Sequence, residues 1–240
     1  MKRNLAIVIL ILGCASCTTQ LYQSNTANVP LLREKHESKS SIGAGNVQTS
    51  YAFSKHGGVI ANAFWNGYHA NGNENLGLLG ELGAGYFKEI SPDFIFETYG
   101  GIGLGRIKYF KEIKQNGFAE EKSLEVNGIK YFVQPSIGYT NHIIEAAFTP
   151  RISFVDYNNF SIRGYTQEEI EADYLNAEII QSRTWVFVEP SLTLRAGYKW
   201  VKLQAQYGLT LKTNKARLKY PNQFLQFAVI VHVARWYRDR

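Results

Sequence analysis

Residues 201–212 read Val-Lys-Leu-Gln-Ala-Gln-Tyr-Gly-Leu-Thr-Leu-Lys, and this stretch decides the fold. Val201, Leu203, Ala205, Tyr207, Leu209 and Leu211 fall on one face of an extended chain. Lys202, Gln204, Gln206, Gly208, Thr210 and Lys212 fall on the other. Strict alternation over this length is the signature of a strand with one apolar and one polar side. The pattern recurs along the chain. Ile129, Tyr131, Val133, Ile137 and Tyr139 oppose Lys130, Gln134, Ser136 and Gly138. Val188, Leu192, Leu194 and Ala196 oppose Glu189, Ser191, Thr193 and Arg195. Leu225, Phe227, Val229, Val231 and Val233 oppose Gln226, Ala228 and His232.

Working outward, ten strands are expected, over about 37–45, 47–54, 58–69, 77–90, 94–112, 128–140, 143–157, 184–198, 201–213 and 223–236. Their connections alternate in length. Those at 55–57, 91–93, 141–142 and 199–200 are tight, whereas those at 70–76, 114–127, 158–183 and 214–222 are long. Turn geometry predicts the pairings Gly138 with Glu145, Gln134 with Thr149, Arg195 with Gln204, Gly197 with Lys202, Ser50 with Asn62, Glu81 with Gly103 and Gly85 with Tyr99. These join polar face to polar face, as side-chain direction with period two requires. The expected fold class is all-β, a single antiparallel up-and-down transmembrane barrel of ten strands over 37–237. Eight strands is the alternative, with 38–54 as a plug or an edge.

Composition agrees. The chain has 240 residues, a net charge of +6, and 4 Trp, 15 Tyr and 14 Phe. A slightly negative mean hydropathy argues against a helical membrane protein. It is compatible with a barrel, in which half of each strand is polar. Two cysteines cannot make a disulfide framework or a cysteine zinc cluster.

The amino terminus carries Lys2 and Arg3, an apolar run over 5–12, and then Gly13. That reads as a secretory signal, too short to span a bilayer. Ile11-Leu12-Gly13-Cys14 resembles a bacterial lipobox, so 1–13 is read as a lipoprotein signal peptide. Cys14 is the expected acylation site and Cys17 the alternative. Loss of 1–13 removes two positive charges, leaving too mild a charge for a nucleic-acid surface. Residues 14–36 are expected as a lipidated polar tether. An even strand count then puts both ends of the barrel on the short-turn side.

With these features the chain resembles the small outer-membrane β-barrel proteins of Gram-negative bacteria, with a lipoprotein leader added. The resemblance is one of pattern and covers about 37–237. It implies insertion in the outer membrane with the lipid bilayer as partner, an acyl (palmitate) anchor, long loops outside, and termini in the periplasm. Family members usually end on an aromatic; here Trp236-Tyr237 is followed by Arg238-Asp239-Arg240.

The polar faces carry Glu81, Glu97, Glu145 and Glu189 together with Lys130, Arg151, Arg195 and Lys202. In a lumen this set reads as a mutually satisfied charge network packing a narrow barrel, or as an ion path. The run Gly100-Gly101-Ile102-Gly103-Leu104-Gly105 lies mid-strand, so it fails the strand-to-helix context of a phosphate loop. With Gly83 and Gly85 it is expected to make room for Tyr99. His36, His56, His69, His142 and His232 have no metal-ligand spacing, and no metal or cofactor is expected. Thr166-Gln167-Glu168-Glu169 fits a capping box opening a helix over 170–180. This loop helix, within 166–182, is expected either to cap the barrel mouth or to meet a periplasmic or extracellular partner.

The function expected is a barrel lipoprotein with a structural, adhesive or small-solute role and no catalysis. A membrane-tethered, lipocalin-like carrier of a hydrophobic ligand is one alternative. A barrel protease or acyltransferase using His69, Asp156 and Asp173 is the other.

Overall fold

The computed structural model describes residues 20–70, 73–115, 118–141, 143–198 and 200–232. The signal peptide, Cys14, Cys17, His142 and the Trp236-Tyr237 end lie outside the described residues. The strands are β1 (Ser38–Gly43), β2 (Asn46–Ala52), β3 (Gly57–Ala70), β4 (Asn73–Ser91), β5 (Phe94–Gln115), β6 (Phe118–Thr140) and β7 (Ile144–Arg163). After two short helices, α1 (Gln167–Ala172) and α2 (Ala177–Gln181), come β8 (Trp185–Tyr198), β9 (Val201–Leu209), β10 (Leu211–Lys212) and β11 (Gln223–His232). β9 and β10 are one wall strand interrupted at Thr210. Each strand pairs antiparallel with the next, and β1 pairs with β11 from Lys39↔His232 to Gly43↔Ala228. The result is a closed antiparallel barrel of ten strands, with edges left where β3 rises beyond Phe64 and β7 beyond Val155, past their shorter neighbours.

The alternation sorts the side chains as the sequence pattern requires. Leu82, Leu104, Leu203 and Phe227 point away from the lumen and are 63–67% exposed. Tyr51, Phe53, Tyr86, Phe94, Tyr198 and Trp200 form an exposed aromatic belt near the tight turns. Inside, the strands present Gln48, Gln134, Thr149, Thr193 and Gln206, all buried. The observed register matches Glu81↔Gly103, Gly85↔Tyr99, Arg195↔Gln204 and Gly197↔Lys202. In two hairpins the pairing is shifted by two residues, to Gly138↔Ala147 and Gln48↔Asn62. A shift of two preserves the faces, because side-chain direction repeats every second residue.

Two connections expected to be long are not loops. β3 and β4 stay paired up to Ala70↔Asn73, and β5 and β6 up to Gln115↔Phe118. The charged residues here sit on strands that rise above the apolar band, paired as Arg106 with Glu125 at 2.8 Å and Lys108 with Glu74 at 3.7 Å. Glu74 and Glu125, read as loop, therefore lie on strands. β4 to β7 thus form a tall wall, while β1 and β2 are short.

The glycines on β4 and β5 do admit large inward rings. A Cβ at Gly85 would lie 2.6 Å from Tyr99, and one at Gly101 would lie 2.5 Å from Phe132. The predicted capping box is present, with Thr166 and Glu169 bonding reciprocally. The helical segment is broken after one turn and a half, at Tyr174, whose φ is +55°. Asn176 then caps α2 by accepting from the Ile179 N–H. The break turns Leu175 and Ile180 down into an apolar cluster with Leu124, Val126, Tyr157, Trp185, Phe187 and Leu218, which closes the loop-side mouth.

Candidate functional site: a lumen filled by the amino-terminal segment

Of the stretch read from composition as a tether, residues 20–33 run inside the barrel. Leu21, Ala27, Val29, Leu31 and Leu32 are buried, as are Ser24, Asn25, Thr26 and Asn28. Burial of so polar a stretch is possible because the wall supplies its hydrogen bonds. The segment pairs with no strand, so an unmet buried backbone group would cost about 1–3 kcal/mol. Wall side chains meet these groups one by one. Gln48 Nε2 donates to the Thr26 carbonyl at 2.9 Å. Gln206 accepts from the Ala27 N–H at 2.8 Å and donates to the Ala27 carbonyl at 3.0 Å. Gln134 donates to the Asn28 carbonyl at 2.7 Å, and Arg195 to that of Val29 at 2.6 Å. Glu97 accepts from the Leu31 N–H at 2.9 Å, and Lys39 donates to the Leu31 carbonyl at 2.8 Å.

The eight expected lumen charges all point inward and are buried, at 0–4% exposure. They fall into groups. Near the loop-side mouth, Glu81 on β4 meets Lys130 on β6 at 3.2 Å and Arg151 on β7 in direct contact. Glu189 on β8 meets Lys130 at 3.6 Å and Arg151 at 3.9 Å. The segment joins this group, since Tyr22 donates to Glu189 at 2.7 Å and Asn25 to Glu81 at 3.1 Å. Toward the tight turns, Glu145 meets Arg195 at 2.9 Å, Lys202 at 3.0 Å, His232 at 3.8 Å and Lys39 at 4.0 Å. Glu97 is held through Leu31. Between the two groups lie the glutamines that grip the main chain. Apolar side chains of the segment fill what remains, with Val29 and Leu31 against Ile95 and Ala147, and Leu32 against Ala52 and Phe87.

The chain matches no family model and no curated protein. The site therefore has to be read from its own chemistry.

Beside Tyr22, between Asn66, Ile107, Lys130 and Tyr157, about 80 Å³ of space is left. That is far below the ~300 Å³ at which sites for small organic ligands begin. Asp156 accepts from the Thr184 hydroxyl at 2.6 Å, while Asp173 pairs with Lys219, so the two acids have separate partners. The His69 side chain lies outside the description. Among the described residues, no three His, Cys, Asp or Glu side chains are grouped to hold a metal ion. Lys122 on β6 bonds Glu169 of α1 at 2.5 Å and holds its carboxyl below the usual range.

The sequence reading missed the partners of the charge network: Tyr22, Ser24 and Asn25 in the segment, and Glu37, Lys39 and His232 at the wall. One signal was available. Val29-Pro30-Leu31-Leu32 is an apolar run inside a polar stretch, and a solvated tether has no use for it.

The direction of the segment also differs from expectation. Gln20 donates its N–H to the Tyr109 hydroxyl at 2.9 Å, and Leu21 donates to the Lys219 carbonyl at 3.1 Å, both at the loop rim. Arg33 donates to the carbonyls of Pro92 and Thr140 at 2.9 Å, both at the short-turn rim. The sequence reading puts both ends of the barrel, and the tether before them, at the short-turn rim, and the start of β1 is there, with Lys39 opposite His232. His232 is there, bonded to the Trp200 carbonyl, but Gln20 stands at the opposite one.

Proposed function

We propose that the protein is an outer-membrane β-barrel lipoprotein with a structural or adhesive role, closed to solutes by its own amino-terminal segment. The observation that carries this reading is the polarity of the wall. A continuous apolar surface faces outward and a polar, charge-balanced interior faces inward. Soluble monomers rarely expose apolar patches beyond a few hundred Å². A bilayer takes such a surface, provided the backbone is closed, as it is in a barrel.

A lipocalin-like carrier needs the reverse arrangement. Val201, Leu203 and Leu209 would face a ligand, but they point away from the lumen, which holds Gln204 and Gln206. An open solute path is disfavoured because residues 22–32 occupy the bore. What remains for interaction is outside: the tall β4–β7 wall and the helical cap. The experiment is fractionation of the mature chain on a density gradient, followed by gel mobility with and without heating. Co-migration with the outer membrane and a heat-dependent shift are expected. A chain that stays folded and monomeric in buffer without detergent refutes the reading.

A further inference from the structure

We infer that the chain is threaded through its own barrel, so that the acyl anchor sits in the outer leaflet and the amino terminus is displayed at the cell surface. This rests on the lipoprotein reading above and changes its topology.

Three observations carry it. First, the segment is fixed at both ends and along its length, so it cannot reverse. Gln20 and Leu21 are bonded at the loop rim and Arg33 at the short-turn rim. The intervening main chain is gripped by Gln48, Gln134, Gln206 and Arg195. Second, Gln20 lies above the apolar band, because Tyr109 neighbours Lys108, whose ammonium pairs with Glu74 in water. Third, reach is short. Cys17 is three residues from Gln20 and Cys14 is six. At ~3.6 Å per residue, these cysteines can stand no farther than about 11 Å and 22 Å from Gln20. The hydrocarbon core is ~30 Å thick, so neither can deliver an acyl chain to the leaflet at the short-turn rim. In barrels of this kind the short turns are periplasmic and the longer loops are outside. The anchor and the carboxy end of β11 are therefore on opposite sides of the membrane.

Assembly is constrained in turn. An end bearing acyl chains cannot be drawn through a packed lumen, so the wall must close around the segment. The β1–β11 seam, five register pairs long, is the natural place for closure.

The test adds one thiol to the full-length chain in a Gram-negative host, as Thr19→Cys and, separately, Lys35→Cys, beside its own Cys14 and Cys17. Lys35 is exposed at the short-turn rim. Cells are treated intact or lysed with a membrane-impermeant maleimide, and the label is located by peptide mass mapping. Folding is checked by the heat-dependent gel shift, and acylation by incorporation of labelled palmitate. Threading predicts equal labelling of position 19 in intact and lysed cells, and labelling of position 35 only after lysis. If position 19 labels only after lysis in a folded, acylated chain, threading is overturned while the lipoprotein reading stands. If position 19 is at the surface but no palmitate is incorporated, the lipoprotein reading falls and the inference about the anchor falls with it.

Discussion

Gly138 and Leu31 give the sharpest test of what fills the lumen. Gly138 faces inward on β6, and a methyl group there would lie 2.4 Å from Leu31 Cδ2, 2.8 Å from Cδ1 and 3.2 Å from Cγ. Leu31 is buried, and both its N–H and its carbonyl are bonded, so it cannot slide away. Gly138→Ala should therefore destabilise the barrel by about 1–3 kcal/mol, the usual cost of overpacking. With the lumen empty at this point the sign reverses, since alanine is favoured over glycine in a strand by roughly 0.5–1 kcal/mol. Leu31→Ala alone should cost about 2–5 kcal/mol, for lost burial and the cavity left behind. In the double variant the new methyl group occupies space that Leu31 has vacated, so the two costs should fall short of their sum by about 1–3 kcal/mol. Independent sites add within ~0.5 kcal/mol. The assay is urea unfolding of the refolded chain in detergent micelles, read by loss of the fast-migrating folded band. A stabilising Gly138→Ala, or additivity of the pair, would refute the placement of residues 29–32 in the lumen.

Three further outcomes are expected. Leu203→Arg puts a guanidinium on the outward face of β9, and insertion into vesicles should weaken by about 2–4 kcal/mol if it lies near the midplane; a change within error would argue for water on that face. Glu145→Gln removes the only carboxylate in contact with Arg195 and Lys202 among the described pairs. Stranding buried cations typically costs about 3–5 kcal/mol, visible as a lower urea midpoint. In planar bilayers the native chain should pass no steady current. A variant lacking residues 22–32 that keeps its heat-dependent shift should conduct; a silent deletion variant would mean that the wall side chains alone seal the bore.

The barrel was legible because a two-residue period survives errors in turn length. The 53–56 and 141–143 connections shift the register by two residues and leave every inward residue inward. The tall wall was not legible, because above the apolar band a strand loses its apolar face. Glu74 and Glu125 look like loop until their pairing with Lys108 and Arg106 places them on strands. The eight lumen charges were found by face alone, but their grouping was not, since it depends on which strands meet across the bore. The largest error was at residues 20–33. In composition a polar segment in water and a polar segment in a polar lumen are the same. Beside the apolar run at 29–32, the glutamines at 48, 134 and 206, facing inward with no charge to satisfy, fit a wall built to hold a main chain.

The most direct measurement is hydrogen exchange of the mature chain in lipid nanodiscs, read on peptides covering residues 20–33. These residues form no strand, so a tether would exchange all its amides within the shortest labelling time. Held in the lumen, the amides of Ala27 and Leu31 and their neighbours open only when the barrel does. The account predicts protection matching that of β6 and β7. Immediate, complete exchange of this segment beside fully protected strands would contradict it.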